Sequence, residues 1–146
     1  MKKLLVLLGL TFALSTFAAE GWKTDLPTAL KDAVKSKKHV LLAFTGSNWC
    51  PPCMYLEKKI FATKKFKDFA GKNLILVMAD FPRPNNLSKE QQKKNNELAV
   101  KYKVGGFPTV IIMDAKAKVL KTMLGIPEGA TTPETYVKFV KKIIKK

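Results

Sequence analysis

The chain has 146 residues, 47% of them hydrophobic, and 27 basic against 11 acidic side chains give a formal net charge of +16. That length suits one domain with a core large enough to stand without cross-links. Arg83 is the sole arginine and the lysines are spread along the chain without interleaved aromatics, which argues against nucleic acid as a partner. The excess charge reads as a solvated basic surface with some attraction for acidic partners.

The N-terminus carries its own signal. Lys2 and Lys3 precede an apolar run from Leu4 to Leu14, and Thr16 and Ala18 are the small residues at −3 and −1 of a cleavage site before Ala19. Residues 1–18 are therefore expected to be a signal peptide. The run is too short to span a bilayer, and no second apolar stretch of about 20 residues follows. An exported protein, periplasmic or secreted, is expected, with no stable membrane insertion after cleavage. The remaining domain, 19–146, has 128 residues and, without Lys2 and Lys3, a net charge of +14.

In chain order, Asp25 and Pro27 open a helix whose apolar stripe is Leu26, Leu30, Ala33 and Val34. His39 to Thr45 reads as a buried strand, and Gly46-Ser47-Asn48 as a turn. A helix through the two cysteines runs to about Ala62. Thr63 caps a further helix through Phe66 and Phe69, ending near Gly71. Asn73 to Ala79 is an unbroken apolar run and reads as a second strand, parallel to the first. Asp80 ends that strand as a structural residue.

The two prolines of Phe81-Pro82-Arg83-Pro84-Asn85-Asn86 forbid a helix there. This loop reads as solvent-facing, with partner contact as the second reading. Ser88 and Gln91 have capping-box spacing, opening a polar helix to about Tyr102 with Leu98, Ala99 and Tyr102 inward. Gly105-Gly106-Phe107-Pro108 breaks the chain before a hairpin of strands 109–113 and 118–124. Thr132-Pro133-Glu134 starts a terminal helix with Tyr136, Val137, Val140, Ile143 and Ile144 apolar. The expected order is α-β-α-α-β-α-β-β-α, with helices on both faces of a mixed sheet.

The chemistry is concentrated at Trp49-Cys50-Pro51-Pro52-Cys53, which holds the only two cysteines. Thiols at i and i+3 in a first helical turn put their Cα atoms about 5–6 Å apart, within disulfide range. The partial positive charge at the helix start favours a thiolate at Cys50. A loop so small constrains little of the unfolded chain, so a purely structural bridge is poorly motivated. Pro51 and Pro52 fall where backbone donors have no intrahelical partner, yet they also remove two donors from a Cys50 thiolate. His39 is the only histidine and reads as a strand-end residue, so no metal site is expected.

The element order, Trp-Cys-x-x-Cys after the first core strand and Gly-Phe-Pro-Thr before the hairpin, resembles the thioredoxin superfamily over residues 22–145, in particular its secreted bacterial branch. The resemblance implies an α/β thioredoxin fold with a central mixed sheet. It makes Cys50 the nucleophile, Cys53 the resolving thiol and Pro108 a cis-proline facing them. Trp49, Phe107, Pro108 and Thr109 would line the groove for a bound peptide. One departure stands out, because the acid that thioredoxins bury beneath the second cysteine is replaced here by Ala43 or Phe44. Glu57, seven residues after Cys50, reads first as an ordinary helix carboxylate near Lys58 and Lys59, and second as a substitute proton acceptor.

The expected function is thiol–disulfide exchange that reduces disulfides of exported proteins through a Cys50/Cys53 cycle. No metal or organic cofactor is expected, and electrons would come from a partner, a membrane thiol-reductant donor. Two alternatives are a disulfide oxidase or isomerase, and a non-catalytic peptide-binding adaptor.

Overall fold

Four of the five α-helices begin on a side chain that meets an orphan amide. Asp25 accepts from the Thr28 amide at 3.0 Å, Thr63 from Phe66, Ser88 from Gln91 at 3.1 Å, and Thr132 from Thr135 at 3.2 Å. The computed structural model describes residues 21–145; the expected signal peptide and its cleavage site lie outside them. The elements are β1 (Trp22–Lys23), α1 (Leu26–Ser36), β2 (His39–Thr45), α2 (Pro51–Tyr55) running into a π-helical segment (Leu56–Phe61), α3 (Lys64–Asn73), β3 (Leu74–Asp80), α4 (Lys89–Lys101), β4 (Thr109–Met113), β5 (Val119–Leu124) and α5 (Pro133–Ile144).

The five strands form one mixed sheet in the order β1-β3-β2-β4-β5. β3 lies parallel to both β1 and β2, whereas β4 is antiparallel to β2 and β5 to β4. Central β2 is covered on both faces, which is why it reads as a continuous apolar run. Leu41 and Ala43 face the core formed with the π segment, α3 and α5 through Leu56, Ile60, Phe66 and Tyr136. Val40, Leu42 and Phe44 face the core formed with α1 and α4, which includes Leu26, Ala29 and Ala33. Burial on that first face pushes the Tyr136 phenol well above its ordinary pKa.

Four details depart from the sequence reading. β1 is an additional strand, too short at two residues to show alternation, and it docks by Trp22, whose ring sits 5.2 Å from that of Phe61. Val34 is 60% exposed and lies outside the apolar stripe of α1. The cysteine helix widens after Tyr55, where the Ala62 amide donates to the Glu57 carbonyl five residues back. That wider turn lets Leu56, Ile60 and Phe61 all be buried, a set that regular α spacing would spread around the helix. α3 runs past Gly71 to Asn73.

The capping of α4 is one-sided. Gln91 does not reach back to Ser88; its amide donates instead to the Thr24 carbonyl at 3.1 Å and to Asn95 Oδ1 at 2.8 Å. Asn95, 2% exposed, in turn donates to the Asp80 carbonyl at 2.8 Å. This chain of amides ties α4 to the C-terminal end of β3. Asn95→Ala is expected to cost about 1–3 kcal/mol, because it strips a buried carbonyl of its donor. The measurement is a urea midpoint lowered at unchanged slope.

Candidate active site

Cys50 is the N-cap of α2, with extended backbone, and Pro51 and Pro52 take the first two helical positions. The prolines cost the helix little, since amides there have no intrahelical acceptor. Cys50 and Cys53 form a disulfide with Cα atoms 5.2 Å apart, as the i, i+3 spacing requires. Cys50 is the more open of the two at 5% exposure against 2% for Cys53. The Gly46 N–H points at Cys53 Sγ, 3.5 Å away. At the dithiol end of β2, Ala43 and Phe44 face opposite sides of the sheet and both are buried and apolar, so the strand offers no acid there.

Three consecutive residues of the turn before the dithiol are each tied to the segment after β3. Ser47 donates through its amide (3.0 Å) and its hydroxyl (2.6 Å) to the Asp80 carboxylate. Asn48 exchanges two bonds with the backbone of Arg83, donating to its carbonyl at 2.8 Å and accepting its amide at 2.9 Å. Trp49 Nε1 donates to the Phe81 carbonyl at 2.6 Å. The Phe81 amide closes the set on the Thr45 carbonyl. A turn of Gly, Ser and Asn, mobile on composition alone, is thereby pinned.

The Phe107–Pro108 peptide is cis. Phe107 presents its ring edge-on to Trp49, centroids 5.8 Å apart, and packs on Phe81 at 5.1 Å. The Pro108 carbonyl accepts the Gly125 amide at 2.8 Å. Thr109 is buried, and its hydroxyl donates to the Gly106 carbonyl at 2.7 Å, so this side chain braces the turn. The structure thus brings Trp49, Phe107 and Pro108 to the dithiol's end of the sheet, with Thr109 behind them.

Glu57 lies one turn beyond Cys53 and is half-buried. Among the described residues it forms no ion pair, so the expected nearness of Lys58 and Lys59 does not become a salt bridge. Burial, and secondarily the Asp80 charge, push its carboxyl above the ordinary glutamate value, with Lys58 opposing. Asp80, Asn48 and the Arg83 backbone position the turn before the dithiol, contacts that sequence reasoning missed. Asp80 was legible only as a strand end, and the prolines around Arg83 excluded a helix without revealing what the loop touches.

Two measurements follow from this geometry. A methyl at Gly46 would sit under 3 Å from the Trp49 indole. Gly46→Ala should displace that ring from Phe81, lower stability by about 1–3 kcal/mol in urea unfolding, and change tryptophan emission. For Glu57 the raised folded-state pKa sets the sign. Such a carboxyl stabilises the fold below its unfolded pKa and loses that contribution as pH rises through the folded one. Glu57→Gln should therefore exceed the wild type in stability at neutral pH, with the gain vanishing below about 4.5.

Residues 26–144 match the family model of a thioredoxin-like domain. Disulfide bond reductase DsbH of Chlamydia pneumoniae is 40% identical over 117 residues, covering 80% of this chain and 69% of that protein. A solved structure of a DsbH oxidoreductase superimposes with a TM-score of 0.76 at 36% identity, covering 90% of this chain and 92% of that one. The structure of a disulphide isomerase from Xylella fastidiosa Temecula1 shares the fold, with a TM-score of 0.62 and 24% identity over 94% of this chain and 99% of that one. With its dithiol at a helix start beside a cis Phe-Pro turn, the chain belongs to the thioredoxin-like family and is a thiol–disulfide oxidoreductase.

Proposed function

We propose that the protein is an exported reductase of protein disulfides, recharged by a membrane thiol donor. Cys50, at the helix start and the more exposed of the pair, is the nucleophile. Its thiolate attacks one sulfur of a substrate disulfide; that S–S bond breaks, and the departing substrate thiolate takes up a proton. Cys53 then attacks Cys50 Sγ, releasing the second substrate thiol and leaving the Cys50–Cys53 disulfide. Two electrons pass to the substrate, and the donor restores the dithiol. The cycle runs on the two cysteines, with no metal or organic cofactor.

Trp49 and the Phe107–Pro108 turn flank the attack path, offering apolar surface and the Phe107 backbone to an extended peptide. Glu57, one turn beyond Cys53 on the same helix, is the candidate to accept the Cys53 proton, since its raised pKa brings a carboxylate closer to thiol chemistry. The observation that carries reduction as the direction is the pair of prolines at the first two helical positions. They leave the Cys53 amide as the chief backbone donor for a Cys50 thiolate, and a weakly stabilised thiolate makes the dithiol a better electron donor. The similarity to a protein described as a disulfide bond reductase supports the same direction. Export rests on the sequence of residues 1–18. Among the described residues no helix is long and apolar enough to cross a membrane.

Equilibration with glutathione, read as free thiols by gel shift, tests the direction. A potential below about −220 mV is expected, and one above about −180 mV would make the protein an oxidant or isomerase. In parallel, Cys53→Ser should accumulate mixed disulfides through Cys50, whereas Cys50→Ser should trap none.

A further inference from the structure

We propose that Arg83 forms, on the face of Trp49, a recognition site for a carboxylate that flanks the disulfide of the substrate peptide. The proposal rests on the peptide-disulfide reading above and narrows it to acidic clients. The Arg83 guanidinium carbon lies 3.7 Å from the centroid of the Trp49 ring. The residue is exposed, yet its backbone is held by the two bonds it exchanges with Asn48. Trp49 is itself fixed by Phe81. A long side chain that would ordinarily sample many rotamers is therefore anchored at its root and rests on a fixed aromatic face. The aromatic face on which it rests belongs to the residue next to the nucleophile.

The guanidinium edges are free to act. Among the described residues no acceptor bonds the Arg83 side chain, and none of the ion pairs includes it. The nearby carboxylate of Asp80 is engaged by Ser47. A planar guanidinium over indole leaves its N–H fork available for a carboxylate, a geometry that a lysine ammonium does not reproduce. Every other basic residue of the chain is lysine. The lysine-rich surface attracts acidic chains at long range, and Arg83 supplies the one directional contact beside the dithiol.

The test uses two disulfide-bonded peptides that differ only in an Asp or Asn next to the reacting cysteine, with bis(2-hydroxyethyl) disulfide as a small neutral substrate and dithiothreitol as electron source. The wild type should favour the Asp peptide roughly three- to tenfold in kcat/KM, mostly through KM, and high salt should weaken that preference. Arg83→Gln should abolish the preference while leaving the neutral disulfide and the reduction potential unchanged. Arg83→Lys should restore only part of it. Equal preference in the wild type and Arg83→Gln would overturn the proposal. So would a uniform loss on all three substrates accompanied by a raised Cys50 pKa, because Arg83 would then act on the thiolate. A wild type that reduces none of the three would overturn the reductase reading and this proposal with it. Normal turnover of the neutral disulfide without peptide discrimination would remove the role of Arg83 alone.

Discussion

The Asp80 carboxylate is the constraint on which the site depends. It ends β3, and the parallel register places it opposite Thr45, where β2 ends and the turn to the dithiol begins. By accepting both the amide and the hydroxyl of Ser47, it closes the gap between two strand ends with charge-assisted bonds. The Asn48–Arg83 and Trp49–Phe81 contacts continue from that point like rungs. Removing the first rung would free the chain that aims Cys50. Asn95 supports the same corner from behind through the Asp80 carbonyl. A buried amide in α4 and a cysteine in α2 are thus coupled through a single residue of β3.

The same corner bears on electrostatics. The end of β2 provides no acid near the dithiol, only Ala43 and Phe44 on opposite faces of the sheet. Glu57 stands on the helix one turn beyond Cys53, and burial together with the Asp80 charge raises its pKa. One carboxylate therefore has two effects, as hydrogen-bond acceptor for the turn and as like charge for Glu57. β2 carries no acid, and its residues Val40 to Phe44 are all apolar. Both cores can then pack against it without a buried charge to compensate.

Much of this was legible in the residues. The dithiol, the Phe-Pro turn, the parallel pair β2 and β3, and the caps Asp25, Thr63, Ser88 and Thr132 all follow from local chemistry. Residues whose role depends on register were not legible. Nothing within Met78-Ala79-Asp80 says that the carboxylate meets Ser47, because that contact exists only once Thr45 and Asp80 are aligned. Arg83 and Asn48 find each other 35 positions apart for the same reason. Val34 fits a helical stripe on paper, and its exposure reflects where α1 sits on the sheet. The π segment was hidden because Leu56 and Ile60, four apart, read as an ordinary α-helical face, and nothing local marks Phe61 as joining them.

The two edges of the sheet differ in length and in chemistry. β1 offers only two residues, whereas β5 runs for six and carries exposed Val119, Leu120 and Leu124. A strand of that kind invites another chain to add to it. β5 is blunted by Lys121 in its middle and by an irregular register where Leu120 is passed over between the pairs Ile112–Lys121 and Met113–Val119. Strand addition along this flank is thereby discouraged. Selectivity for where a polypeptide docks is set as much by the border that refuses it as by the groove that admits it.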